Sequence, residues 1–145
     1  MSLTSKLSVS IKKCVSFTAD KLFEKARGAL QDSGRLQKWT ELSRNATDRT
    51  IDEIIDQPTM DSVLFLQDRF EILIDARGFR PEDVKCSLTI NLVEVAAQKY
   101  EKFNAGNKSM TLTRSYQLPQ PIKPEEGICC MSSEGILLIS APWLR

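Results

Sequence analysis

Asp68 to Leu88 reads DRFEILIDARGFRPEDVKCSL. Phe70, Ile72 and Ile74 alternate with Glu71, Leu73 and Asp75, so one face of this run is wholly apolar and the other mixed, as a half-buried strand requires. Gly78 breaks the run. Pro81 then fixes φ, Glu82 and Asp83 offer carboxylates to the following backbone, and Val84, Cys86 and Leu88 restart a period of two. The reading is strand, turn, strand.

Downstream the texture is the same. Val63 to Leu66 and Leu92 to Ala96 are short apolar runs, and Met110 to Leu118 alternates until Pro119 stops it. Ile128 to Met131 and Ile136 to Ser140 flank the turn Ser132-Ser133-Glu134-Gly135. Gln98 to Lys108, charged and carrying Gly106, reads as a solvated connection. About seven short strands separated by turn signals predict a β-sandwich.

Upstream the periodicity changes. Leu3, Leu7, Ile11, Cys14, Val15, Thr18, Leu22, Ala26 and Ala29 fall at steps near three or four, which predicts an amphipathic helix that docks on something. Scarce acids and many Ser and Thr give this beginning something of a mitochondrial transit peptide, but no Arg precedes Arg27 and acids resume within the same stripe. A second helix carries Leu36, Trp39 and Leu42 on one side. Trp39 either packs on the β domain or is an exposed handle for a partner. Thr50-Ile51-Asp52-Glu53 has the form of a capping box and starts a short helix that ends before Pro58. The expected organisation is a helical extension over residues 1–57, a linker at 58–61, a β domain over 62–143 and a vestigial tail at 144–145.

Composition narrows the function classes. With 20 basic and 19 acidic residues interspersed, the net charge of +1 gives no support to nucleic-acid binding. No apolar run reaches membrane-spanning length. Histidine is absent, which removes the commonest general base and metal ligand. The acidic pairs Asp52-Glu53, Glu82-Asp83 and Glu125-Glu126 sit at turns or a helix start, where capping is the ordinary explanation, so no enzyme, cofactor or metal is expected. Cys14, Cys86, Cys129 and Cys130 lack the spacing of a metal or redox pair; they read as reduced thiols of a cytoplasmic protein, with a redox switch as the sharper alternative.

Four blocks carry a family resemblance: DRFEILIDARGFRPEDVKCSL, LVEVAAQKYE, TLTRSYQLPQPIKPEEG and CCMSSEGILLISAPW. In order and spacing they resemble the α-crystallin domain of the animal small heat-shock proteins, over roughly Ser62 to Trp143. Most diagnostic are Phe79-x-Pro81-Glu82-Asp83, Arg114-x-Tyr116-x-Leu118-Pro119 and Gly135-Ile136-Leu137. The resemblance implies an immunoglobulin-like sandwich without catalytic machinery and an ATP-independent holdase that keeps partly unfolded proteins from aggregating. It implies that the Met110–Leu118 strand, with Leu112, Arg114 and Tyr116, pairs with itself across a two-fold axis to form a homodimer, and that Arg114 makes an intersubunit or cross-strand ion pair. It further implies an apolar groove with Val84, Cys86 and Leu88 on one wall and Cys130 or a neighbour on the other.

In relatives that groove takes an Ile-x-Ile or Ile-x-Val segment from a carboxy-terminal tail. Here the sequence stops at Arg145, so an open groove and dimers, rather than large tail-stapled assemblies, are the expectation. Met110 and Leu112 replace the arginine and aromatic usual early in the dimer strand, and the amino-terminal Trp-Asp-Pro-Phe type of motif is missing. A scaffold module with a dedicated protein partner is therefore the alternative. Leu22, Phe23 and Trp39 are the expected client-binding residues of the extension; neither nucleic acid nor membrane is an expected partner.

Overall fold

The computed structural model describes residues 6–44, 61–103 and 106–145. Two sheets pack face to face. The first has the order β1 (Leu7–Val9), β5 (Val84–Leu88), β6 (Leu92–Phe103) and β7 (Gly106–Gln117). The second has the order β2 (Ile11–Lys13), β8 (Ile128–Met131), β9 (Ile136–Pro142), β4 (Arg69–Asp75) and β3 (Asp61–Phe65). All pairings are antiparallel except β2 with β8.

The two strands of the Asp68–Leu88 stretch form as their alternation predicts, yet they do not pair with one another. β4 lies in the second sheet and β5 in the first, so the intervening turn is a crossing between layers. Gly78, with φ of 97°, bends the chain out of β4, and the Arg80 N–H donates to the Asp83 carboxylate at 2.8 Å to close the Pro81–Asp83 turn. Gly135, at φ of 101°, packs against this crossing; a Cβ there would lie 2.8 Å from the Arg77 Cα. Phe70, Ile72 and Ile74 meet Val84, Cys86 and Leu88 in the core between the sheets.

The second sheet is apolar on its other face too. Leu64, Leu73, Cys130, Ile136 and Leu138 point away from the sandwich core and are buried under a helical layer. That layer consists of α1 (Glu24–Asp32) and α2 (Leu36–Arg44), preceded by a 3-10 turn at Lys21–Phe23. Asp20 caps the turn, accepting the N–H of Leu22 and that of Val15, each at 2.9 Å. Phe17, Phe23, Leu30, Trp39 and Leu42 supply the layer's apolar face. Trp39 packs on the β domain, with its indole N–H donating to Ser62 Oγ at 2.9 Å.

Two readings are corrected. The predicted amino-terminal helix starts only at Glu24, and the residues before it include two three-residue strands. Leu7, Val9 and Ile11 also alternate at a period of two, and the open edges of β5 and β8 select that pattern over the helical one. Gln98 to Lys108 is not a solvated connection: β6 and β7 stay in register from Leu92–Gln117 to Phe103–Gly106, because a two-stranded ribbon pairs its backbone whatever the polarity of its side chains. The expected capping box at Thr50–Glu53, and all but Asp61 of the 58–61 linker, lie outside the described residues.

Candidate functional site

The groove walls are β5 and β8, one from each sheet. Residues Leu7 to Lys13 lie along them. β1 pairs antiparallel with β5, placing Leu7 opposite Leu88 and Val9 opposite Cys86, and β2 pairs parallel with β8, placing Ile11 opposite Cys129. Ser10 alone separates the two strands, so one short segment closes both sheets at this end of the sandwich. Val9 and Ile11 pack against the main core, while Leu7 stays 42% exposed. The mode is strand addition, with alternate aliphatic side chains turned inward. A cavity of about 590 Å³ flanks the crossing, bordered by Ser10, Pro81, Glu82 and Lys85.

Val84, Cys86 and Leu88 all turn into the core from β5, and the edges of β5 and β8 are occupied by the chain itself rather than open. Cys130 is not on the other wall. The neighbouring Cys129 faces the core and meets Cys86, whereas Cys130 points to the opposite face beneath the helices, beside Cys14. Pairing with β9 fixes this parity, and a shift of one residue along a strand reverses every side chain. The contact with Cys86, together with burial, drives the Cys129 thiol upward; burial, and then the contact with Cys14, does the same for Cys130. Both remain thiols rather than thiolates.

At the other end of the first sheet, β7 has β6 on one side and, among the described residues, no strand on the other. Leu112 points into the core and is buried. Arg114 and Tyr116 lean toward β3: Arg114 Nε lies 3.5 Å from Asp61 Oδ2, and the Tyr116 hydroxyl hydrogen-bonds the same carboxylate. Burial and that bond raise the Tyr116 phenol. Arg114 thus makes an ion pair between the two sheets of one protomer. Asp61, which receives both groups, carries no sequence signal of its own.

In the extension, Phe23 and Trp39 are buried and Leu22 is 41% exposed, so of these three residues Leu22 alone stands as a surface handle. The extension is latched at Glu134 in the β8–β9 turn. This carboxylate accepts the Phe17 N–H at 3.0 and 3.1 Å and the Ser43 hydroxyl; burial works against its charge, but these donors hold it below the usual carboxylate range.

Beneath the helices lies a residue that no motif marks. Glu71 is 2% exposed, and its Oε1 makes no hydrogen bond. Burial pushes its carboxyl up to about 7, against the opposing pull of Arg69 and Lys25. Among the described residues no group of three potential ligands is placed to hold a metal ion.

The sequence profile of the Hsp20/alpha crystallin family matches residues 64–145. The alpha-crystallin B chain of Squalus acanthias is 31% identical over 77 residues, covering 52% of this chain and 44% of that one. Protein lethal(2)essential for life of Drosophila melanogaster is 32% identical over 76 residues, covering 52% and 41% respectively. The chain spans about half or less of the length of the curated relatives it matches. Among solved structures, the rat alpha crystallin domain superposes with a TM-score of 0.50 at 29% identity, covering 59% of this chain and 91% of that one. Stress-induced protein 1 from Caenorhabditis elegans gives 0.52 at 23% identity over 57% and 84%, which bears on the fold alone.

Proposed function

The chain belongs to the Hsp20/alpha crystallin family, and from that membership we propose that it is an ATP-independent holdase, binding partly unfolded proteins and preventing their aggregation. The observation that carries this reading is that apolar surface on both sheets is covered by the chain's own amino-terminal segments, through contacts that an apolar segment of another protein can imitate. Affinity then comes from apolar area removed from water, about 25 cal/mol per Å², and requires no shaped pocket or chemical step. The edge of β7 that no described strand pairs is the proposed homodimer seam: an isologous antiparallel pairing satisfies two such edges at once. Four free cysteines suit a reducing, cytoplasmic location.

Light scattering from a heat-labile client at near-stoichiometric ratio tests the holdase. Suppressed scattering is expected; a curve identical to that of the client alone refutes it.

A second reading is favoured by one feature, the Leu7-x-Val9-x-Ile11 spacing of the segment in the groove. A dedicated partner with the same alternation of aliphatic residues competes for that place, making the protein a scaffold module. Pull-down with Cys86→Arg, which fills the groove, is expected to lose that partner; an unaltered set of partners counts against the scaffold.

A further inference from the structure

We propose that the outer face of the second sheet, now under α1 and α2, is a binding surface for apolar, aromatic-bearing segments of unfolding proteins, exposed when the helix pair lifts as a unit. The inference rests on the holdase reading and names a site for it distinct from the groove.

The surface is continuous and built into the strands. Ile136 to Ile139 are four consecutive fully buried residues, of which Leu137 and Ile139 face the sandwich core and Ile136 and Leu138 face the helices. Leu64, Leu73 and Cys130 extend that outer face across β3, β4 and β8. Such double-sided apolarity favours a cover, whether the chain's own helices or another apolar segment. The cover in place shows what the face accepts: an amphipathic pair of helices presenting Phe23, Leu30, Trp39 and Leu42. These contacts are non-directional, so they select for apolar area and aromatic content rather than for one sequence.

Among the described residues, the bonds from α1 and α2 to the sandwich are the Trp39 indole to Ser62, the Ser43 hydroxyl to Glu134, and the Lys25 ammonium to Asp68 at 3.4 Å, the last between two half-exposed side chains; the segment before the helices adds the Phe17 N–H to Glu134. Against them works Glu71. Its carboxyl is sealed beneath the helices with one oxygen unpaired, and Arg69 Nε on the same strand is likewise buried without a partner. The charged groups bearing on Glu71 are Arg69 of its own strand, Lys25 of α1 and Asp68 of the preceding turn. An unpaired buried carboxyl opposes closure and regains water on opening. The face is thus adapted to cover that comes off.

The test fixes the cover in place. In a Cys14→Ser background, Lys25→Cys and Asp68→Cys are bridged by a short bismaleimide, and the same protein capped with N-ethylmaleimide at both thiols is the control. Suppression of client scattering is expected to survive capping and to require at least fivefold more protein after bridging. Equal suppression by bridged and capped protein overturns the lifting cover and leaves the holdase standing. Absence of suppression in the wild type as well overturns both. As a measurement free of cross-linker, Glu71→Gln removes the charge that opposes closure and is expected to weaken suppression about twofold at pH 7.5; undiminished suppression in a variant with a demonstrably tighter helix layer also overturns the proposal.

Discussion

Replacing Glu71 by Gln is expected to stabilise the protein, and by an amount that depends on pH. The carboxyl is displaced from its ordinary 4.5 to about 7 by burial under α1 and α2. At about 1.4 kcal/mol per pH unit, that displacement sets a ceiling of about 3 kcal/mol on what ionisation of Glu71 costs the folded state. That displacement already includes the opposing pull of Arg69 and Lys25; the realised figure is smaller, roughly 1–2 kcal/mol, because Gln leaves a buried amide in place of the carboxylate. The sign follows from the raised folded value. Below pH 4.5 folded and unfolded chains both hold the proton. Between 4.5 and about 7 only the folded chain does, so its stability falls as pH rises, and above that window the loss is complete. Urea unfolding of wild type and Glu71→Gln at pH 5, 6, 7 and 8 measures this directly. The two curves should lie closest at pH 5 and separate to the full difference by pH 8, equivalent to about 3–6 °C in Tm for a chain of this size. A difference that does not change across that range refutes the argument, since it would mean that the carboxyl titrates alike in both states.

Trp39→Ala removes the largest side chain of the helical layer and its bond to Ser62. Truncations of this kind cost about 3–5 kcal/mol where a core cannot collapse, but here the loss is confined to the cover. Amide exchange should quicken throughout α1 and α2 while β4 and β9 keep their protection; uniform loss across both sheets would contradict a separable layer. Val9→Asp combined with Ile11→Asp expels the segment from between β5 and β8, and the anisotropy of a labelled Ile-x-Ile peptide should then report at least tenfold tighter binding than to wild type, because the self-occupied state no longer competes. Equal affinities would show that the segment does not occupy the peptide's site. Thr113→Asp sets like charges near one another across a self-paired β7, and sedimentation over a concentration series should show dimer dissociation raised roughly tenfold, about 1.4 kcal/mol; an unmoved constant would place the seam elsewhere.

Sequence pattern recovers those parts of the fold whose signal is local. The alternation of Phe70, Ile72 and Ile74, the Pro81 turn and the restart at Val84 suffice for β4 and β5, and the apolar run after Gly135 suffices for β9. What fails is whatever depends on a partner distant in the chain. Leu7 and Ile11 are four apart and Leu7, Val9 and Ile11 two apart, so the segment satisfies both periods; the choice belongs to the unpaired edges of β5 and β8, more than seventy residues away in sequence. Cys129 and Cys130 are equally apolar, and only the register against β9 says which one faces Cys86. The expectation of an open groove fails for the same reason, since nothing in β5 or β8 records that Leu7 to Lys13 lie against them.

The outer face of the second sheet is the instructive case. Glu71 and Asp75, alternating with Leu73, make that side of β4 read as mixed and solvated. Ile136 to Ile139 contain the contrary signal, because a strand with one wet face does not carry four aliphatic residues in succession. The two strands are neighbours, with Leu73 opposite Leu138 and Glu71 opposite Ser140, so a single face has to satisfy both patterns. A permanently covered face would have no reason to bury a carboxyl with an unpaired oxygen, and a permanently wet one no reason to present Leu64, Leu73, Ile136 and Leu138. The residue that disguises the surface as solvated is the residue that keeps its helical cover from closing for good.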